Sequence, residues 1–202
     1  MNEARKLVDS LRSKQATDKS LGQHFLINDS MIALPINHAK VHSNDHVLEI
    51  GPGPGVLTQQ LLKTGCKVTA IEIDEGICNH LSALFKSEID TGSLTLIHAD
   101  VLTHTWPNNI SKIVANIPYQ ISSPLIDKMT KHIRDINTDN LECALLLVQE
   151  EFAERMVMEY DSDVGSLGMN LLLDWRCELK ERVAPHNFSP SPKVNSRFVE
   201  MI

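Results

Sequence analysis

The sequence has few of the features that mark secreted, membrane or metal-binding proteins. No apolar run approaches the roughly 20 residues that a membrane span needs, and the polar start Met1–Lys6 is unlike a secretory signal. The nine histidines form no cluster with ligand spacing, so no metal site is predicted. No C-x-x-C pair occurs, so neither zinc nor disulfides are predicted for Cys66, Cys78, Cys143 and Cys177. These absences predict a cytoplasmic protein with reduced cysteines.

What is present suits one globular domain. The 202 residues allow a single sizeable core, and contents of 42% apolar and 22% charged residues are ordinary. The net charge of −7 is unfavourable for nucleic acid, but residues 1–20 and 176–202 each carry five basic side chains against three acids. The two ends could form a phosphate-facing patch if they converge, or remain an ordinary solvated surface. Residues 1–20 are predicted as a basic, exposed helical extension.

The stretch around which the chain is organised is Val47–Thr58. A short apolar run containing an acid ends in alternating glycines, and an apolar 3–4 pattern follows, which predicts a strand, a tight turn and a helix. Gly51, Gly53 and Gly55 let the backbone bend sharply and approach a ligand. The spacing is G-x-G-x-G with an acid ahead of it, whereas dinucleotide sites carry G-x-G-x-x-G. This favours S-adenosylmethionine over NAD; the alternative is a glycine-rich turn in an unrelated α/β protein.

Acids end the next two predicted strands. Lys67–Asp74 carries Glu72, 21 residues beyond Gly51, where a carboxylate can accept both ribose hydroxyls. Leu94–Asp100 is a third strand, and Asp100 could accept from an adenine amino group. Because the carboxyl ends of parallel strands meet at one sheet edge, where open α/β sheets bind ligands, these groups are expected to lie together. Either acid alone would be read as a solvated loop carboxylate.

A fourth strand, Lys112–Ala115, ends in the tetrapeptide Asn116-Ile117-Pro118-Tyr119. An exocyclic adenine amine is a poor nucleophile because its lone pair is delocalised into the ring. The Asn116 oxygen and the Ile117 carbonyl could accept its two hydrogens and direct the lone pair at a sulfonium methyl. Pro118 stiffens the turn, and Tyr119 offers a face to an extruded base. The alternative is a strand-ending turn with a packed tyrosine.

The remaining pattern predicts alternating helices and strands. The loop Leu21–Asn28 could close over the methionine end of the ligand, and it precedes a helix at Asp29–Ala39 that is capped near Asn28. Further strands are predicted at Leu141–Val148, Cys177–Val183 and Ser196–Ile202, and further helices at Glu150–Glu159 and Leu167–Trp175. This alternation predicts an α/β fold.

Together these motifs closely resemble the ribosomal RNA adenine dimethyltransferases, the KsgA family. Its members convert two adjacent adenines near the 3′ end of small-subunit rRNA to N6,N6-dimethyladenine. The resemblance covers nearly the whole chain and rests on Leu21–Leu26, Glu49–Gly55, Glu72, Asp100, Asn116–Leu125, Gln149–Ala153 and Phe188–Val194.

The resemblance implies a class I S-adenosylmethionine-dependent methyltransferase domain over residues 21–202. Its Rossmann-like fold would have a seven-stranded, mostly parallel sheet with helices on both faces and an antiparallel final strand. The implied cofactor is S-adenosylmethionine, and the implied partner is the small ribosomal subunit, with a role in ribosome biogenesis. A eukaryotic source would place the protein in the nucleolus. A monomer is expected.

The family's site residues carry over by resemblance. The cofactor-binding residues it implies are Gln23, His24 and Leu26 at the methionine part, Gly51 and Gly53 at the turn, Glu72 at the ribose, Asp100 and Val101 at the adenine, and Asn116. The implied catalytic residues are Asn116, Ile117, Pro118 and Tyr119. Tyr119 and Phe188 would stack on the two faces of the target base. Phe188 lies in a loop rich in proline and serine with no pattern to bury it, which favours binding over a loop anchor.

Two departures from the family qualify the resemblance. The family often shows Tyr-x-Arg-Leu-Ser where this chain has Val164-Gly165-Ser166-Leu167-Gly168, so an RNA or structural contact is expected to be missing. Members usually continue into a small helical domain that helps to grip rRNA, and this chain stops at Ile202.

The rival interpretations are the related family that methylates an adenine of large-subunit rRNA, and a non-catalytic ribosome-assembly or transcription factor on the same fold.

Overall fold

The computed structural model describes residues 2–14, 23–136, 140–160 and 165–202. Leu21, Gly22 and Val164, which carry part of the resemblance, lie outside the described residues. The described strands are β1 (Phe25–Leu26), β2 (His46–Ile50), β3 (Lys67–Glu72), β4 (Leu94–His98), β5 (Lys112–Asn116), β6 (Cys143–Gln149), β7 (Cys177–Val183), β8 (Phe188–Ser189) and β9 (Ser196–Met201). The described helices are α1 (Glu3–Lys14), α2 (Asp29–His38), α3 (Val56–Lys63), α4 (Glu75–Leu84), α5 (Lys86–Asp90), α6 (Ser122–Ile136), α7 (Glu150–Val157) and α8 (Ser166–Leu171). None of these helices has the length and apolar content that crossing a bilayer requires.

Within the described residues, a seven-stranded sheet has the order β4-β3-β2-β5-β6-β9-β7. Strands β2 to β6 run parallel, and β9 is antiparallel to both of its neighbours, β6 and β7. The reversed final strand agrees with the expected arrangement. The strand order changes direction between β2 and β5, which is the position where open α/β sheets form a ligand crevice.

The sheet separates two apolar layers because successive strand side chains point to opposite faces. In β6, Leu145 and Leu147 pack in one layer with residues of α1 to α4. Leu146 and Val148 pack in the other layer with residues of α6 to α8. Strands buried on both faces need apolar residues throughout, which explains the continuous apolar run in this strand.

Helix α1 packs against the body of the domain. Ala4, Val8 and Leu11 recur at helical spacing on one side, and all three are buried in the layer that contains α3. The Asp29 carboxylate accepts hydrogen bonds from the backbone N–H groups of Glu3 at 3.2 Å and Ala4 at 3.0 Å, which stabilises the start of the helix. The prediction of an exposed helix is therefore wrong for the described part of this segment.

Several predicted boundaries differ from the observed ones. Strand β6 starts and ends later than the predicted Leu141–Val148, and α8 is shorter than the predicted Leu167–Trp175. Helix α7 ends before the predicted Glu159 because Met158 adopts a left-handed backbone conformation with φ of 53°. The predicted cap of α2 is confirmed, since Asn28 Oδ1 accepts a hydrogen bond from the backbone N–H of the second helical residue at 3.0 Å.

Candidate active site

A cavity of about 360 Å³ opens at the carboxyl edge of the sheet, where the strand order changes direction. It is lined by the glycine turn after β2, the ends of β3 and β5, the loop after β4, and β1 with the residues before it. Its volume suits a small-molecule ligand. All the predicted site residues except Phe188 line it: Gln23, His24, Leu26, Gly51, Gly53, Glu72, Asp100, Val101, Asn116, Ile117, Pro118 and Tyr119.

The glycine turn comes into close contact with β1. Gly53 has a φ of 53°, and a Cβ added there would lie 2.9 Å from the ring of Phe25, so a larger residue cannot be placed without displacing that side chain. The backbone N–H of Gly53 donates to Glu72 Oε2 at 3.2 Å. The turn is therefore fixed on one side by an aromatic wall and on the other by a carboxylate.

Glu72 is a buried carboxylate held by the backbone. Its Oε1 accepts from the N–H groups of Ile73 at 2.9 Å and Asp74 at 3.1 Å, in addition to the Gly53 contact on Oε2. Burial raises the pKa of Glu72, and these three hydrogen bonds oppose the rise. A carboxylate offers about four acceptor sites, so the described donors leave one free for a ligand hydroxyl.

The loop after β4 holds Asp100 and Val101 in a fixed turn. Asp100 Oδ1 accepts from the backbone N–H of Leu102 at 2.8 Å. The carbonyl of Val101 accepts from the indole N–H of Trp106 at 3.0 Å, and Lys128 Nζ donates to the carbonyl of Leu102 at 2.9 Å. These contacts present one carboxylate and one apolar side chain to the cavity in a stable position.

Asn116 ends β5 with its amide oriented by a backbone carbonyl. Its Nδ2 donates to the carbonyl of His24 at 3.4 Å, and no described residue donates to its Oδ1. Ile117 donates its backbone N–H to the carbonyl of Leu147 at 3.2 Å, which ties the turn to the neighbouring strand. The turn thus carries an acceptor at the cavity wall that no other group among the described residues occupies.

Tyr119 lies half-buried beside His24. Its hydroxyl forms a hydrogen bond of 2.7 Å with Ser196 Oγ, and burial raises the pKa of Tyr119. The ring of His24 stacks on it with centroids 5.8 Å apart and an interplanar angle of 26°. His24 Nδ1 in turn donates to the carbonyl of Pro190 at 2.8 Å. No local pattern signals Ser196 or Pro190, because they lie 77 and 166 residues from their partners.

Phe188 is the predicted site residue that does not line the cavity. It is 3% exposed and belongs to β8, which pairs with β1 so that Leu26 lies opposite Phe188. The premise that no strand pattern buries this ring is therefore wrong. Its stacking role remains a prediction, and it requires the ring to leave this buried position.

Glu49, the acid that precedes the glycines, also lies outside the cavity. It is 1% exposed, and no described residue donates a hydrogen bond to its Oε2. Burial raises the pKa of Glu49 to about 8, the nearby charge of Glu72 adds to the rise, and Thr58 of α3 opposes it. Because alternate residues of a strand face opposite sides, Glu49 sits beneath α3 rather than at the sheet edge.

The cavity lining fits S-adenosylmethionine. Gln23 Oε1 is buried without a donor among the described residues, which suits the ammonium group of an amino acid. The free acceptor site of Glu72 suits a ribose hydroxyl, and Val101 and Ile117 offer apolar surface to a purine. No group of three or more metal-ligating side chains occurs within the described ranges.

Comparison with known proteins gives consistent matches. Residues 14–202 match the family described as ribosomal RNA adenine dimethylase. The chain is 38% identical over 197 residues to a probable ribosomal RNA small subunit methyltransferase A of Methanopyrus kandleri, covering 95% of this chain and 66% of the relative. It is 38% identical to a ribosomal RNA small subunit methyltransferase of Arabidopsis thaliana, and the match covers 91% of this chain and 50% of the relative. The chain thus spans about two thirds or less of the length of these relatives.

Solved structures show the same likeness. A dimethyladenosine transferase from Plasmodium falciparum superposes with a TM-score of 0.77 at 36% identity, covering 89% of this chain and 63% of that one. The 23S rRNA methyltransferase ErmE superposes with a TM-score of 0.76 at 28% identity, and the match covers 88% of this chain and 68% of ErmE. The predicted class I methyltransferase fold is confirmed.

Proposed function

We propose that this chain, which belongs to the ribosomal RNA adenine dimethylase family, binds S-adenosylmethionine in the cavity and methylates adenine N6 in small-subunit rRNA. The substrate would be two adjacent adenines near the 3′ end, and the product N6,N6-dimethyladenine. The observation that carries the proposal is the Asn116 side-chain oxygen, which has no donor among the described residues and lies with the half-buried ring of Tyr119 on the wall of a cavity that fits the cofactor. The names of the relatives support small-subunit rRNA over large-subunit rRNA.

The chain's own groups would hold each part of the cofactor. When bound, S-adenosylmethionine supplies a methyl group on a positively charged sulfur. Glu72 would accept from the ribose, and Asp100 beside Val101 would accept from the adenine amino group. Gln23 and His24, with Leu26, would surround the methionine part, and Gly51 and Gly53 would allow the backbone to approach it. The preorganised polar groups of the cavity would replace water around the charged group.

The turn after β5 would position the target amine. Asn116 Oδ1 and the Ile117 carbonyl would accept its two hydrogens, which turns the nitrogen lone pair towards the methyl group. Pro118 keeps these acceptors fixed, and stacking on Tyr119 would contribute about 1–3 kcal/mol. No side chain needs to remove a proton before transfer, so positioning and electrostatics would supply the rate.

Phe188 would close the other face of the extruded base. Because β8 buries this ring against β1, stacking would require the two short strands to separate or the ring to rotate outwards. We place the working protein on the small ribosomal subunit, as a monomer, in the cytoplasm or in the nucleolus of a eukaryote.

The test is to compare cofactor binding with turnover in the Asn116→Ala variant. Calorimetry should give nearly the parent affinity for S-adenosylmethionine, whereas single-turnover methyl transfer to unmodified small subunits should fall by about 10²–10³-fold. Asn108→Ala removes an amide from an exposed turn and is the matched control. Parent-like turnover in Asn116→Ala would remove this residue from the mechanism, and failure of the parent to bind the cofactor would refute the cofactor assignment.

A further inference from the structure

A second cavity of about 1020 Å³ adjoins the first and shares Tyr119 and Gln120 with it. It runs between α6, α7 and α8, and we call it the α6–α8 groove. The residues that matter for its chemistry are Ser122, Lys131, Arg134, Phe152, Arg155 and Asn170. We infer that this groove binds the sugar–phosphate backbone of single-stranded RNA next to the target base. The inference rests on the proposed function, since it assigns the path of the same substrate.

The groove concentrates positive charge on an acidic protein. Lys131 and Arg155 are exposed, and neither forms an ion pair with any described residue, whereas Arg134 Nε donates to Asp174 Oδ1 at 2.8 Å. Among the described residues that line the groove, Asp127 is the one acid. The chain as a whole carries a net charge of −7, so two cations that have no ion-pair partner among the described residues, in a groove beside the cavity, favour an anionic ligand there.

The start of α6 adds a polar group without a partner. Ser122 is 3% exposed as a residue, and its buried hydroxyl has no hydrogen-bond partner among the described residues, although Ser122 lines the groove. It begins α6, a helix of 15 residues that directly follows a 3-10 turn at Tyr119–Ile121, and its backbone N–H donates to the carbonyl of Tyr119. A phosphate oxygen at this position would give the Ser122 hydroxyl its missing hydrogen-bond partner.

The groove also offers a surface for bases. Phe152 of α7 is partly buried and lines it, and aromatic side chains stack on bases of single strands without sequence preference. A base that reaches Tyr119 must already be outside a helical stack. The backbone that carries it therefore leaves the cavity as a single strand, and the α6–α8 groove is the neighbouring surface that shares this tyrosine.

The test is the salt dependence of RNA binding. The probe is a short fluorescein-labelled single-stranded RNA with two adjacent adenines. Its affinity for the protein is measured by fluorescence anisotropy at increasing concentrations of potassium chloride. Loss of two phosphate contacts in Lys131→Ala/Arg155→Ala should make the slope of log affinity against log salt shallower by about 1.4. The control Lys67→Ala/Lys86→Ala makes the same change in net charge at exposed positions outside the groove and should keep the parent slope. Arg155→Lys should also retain it.

A second variant separates a ligand contact from a structural one. Ser122→Ala removes a buried hydroxyl that has no partner, so thermal stability should stay equal or rise, while RNA affinity should fall about three- to tenfold. Three outcomes would overturn the inference. The salt slope could be unchanged in the double variant, or it could change equally in the control. The third outcome is that Lys131 and Arg155 bind duplex RNA more tightly than single-stranded RNA. Failure of the parent protein to bind the RNA would also overturn the inference. The proposed function would still be tested separately, by cofactor binding and by methyl transfer to small subunits.

Discussion

Glu49→Gln should change the pH dependence of stability more than any surface substitution of the same kind. Glu49 is fully buried, and its pKa is raised from 4.5 to about 8 because burial disfavours the charged form. Between these values the folded protein holds almost one more proton at this site than the unfolded chain. The free energy of unfolding therefore falls as pH rises, by up to about 1.4 kcal/mol per pH unit.

The sign and size of the effect follow from this proton. The stability associated with Glu49 is fully present below pH 4.5 and is lost as pH rises towards 8. The loss is about 3 kcal/mol at pH 7 and about 5 kcal/mol above pH 8. Glutamine has nearly the same shape and carries no charge, so the variant should match the parent at low pH and exceed its stability by these amounts at higher pH.

Urea unfolding of both proteins across pH 4–9 measures the difference directly. Glu159→Gln removes an exposed carboxylate and serves as the control, with an expected difference within about 0.5 kcal/mol at every pH. A stability difference for Glu49→Gln that does not depend on pH would refute the argument. A variant less stable than the parent at pH 8 would show that the ionised carboxylate has a stabilising partner.

Two further substitutions test the packing and the buried charges. Gly55→Ala would place a Cβ 2.6 Å from the ring of Phe85, at a residue with a φ of 84°. Gly92 has a similar φ of 77°, but a Cβ there would meet open space. Urea unfolding should therefore show that Gly55→Ala costs about 1–3 kcal/mol more stability than Gly92→Ala. Equal losses of stability in the two variants would mean that backbone strain alone, and not the clash with Phe85, causes the destabilisation. Asp45→Asn removes the buried partner of the Lys112 ammonium at 2.8 Å and leaves it only the exposed Glu142 carboxylate at 3.4 Å among the described acids, so it should cost up to about 3–5 kcal/mol; a loss below 1 kcal/mol would show that Glu142 or solvent compensates the charge.

The strand-end residues of the site could be predicted because the fold brings them together by a simple rule. Glu72, Asp100 and Asn116 each follow or end an apolar run, and parallel strands place such ends at one edge. The same rule fails for Glu49, which lies one residue before the end of β2 and therefore faces α3. A shift of one position along a strand decides whether an acid meets a ligand or the core.

Contacts between distant segments could not be predicted from local patterns. The pairing of β1 with β8 joins residues more than 160 positions apart through two-residue strands, which have no periodicity of their own. This pairing buries Phe188 and, through Pro190, holds His24. The buried side of α1 was visible in its spacing, but only the fold shows which layer receives it.

The most direct measurement is nucleoside analysis of rRNA after incubation with the protein and labelled S-adenosylmethionine. Unmodified small and large ribosomal subunits would be compared, with Asn116→Ala as the control. Labelled N6,N6-dimethyladenosine should appear in small-subunit rRNA with the parent protein, and the variant should form it about 10²–10³-fold more slowly. Label in large-subunit rRNA alone, or no label in either subunit despite measured cofactor binding, would contradict the proposed function.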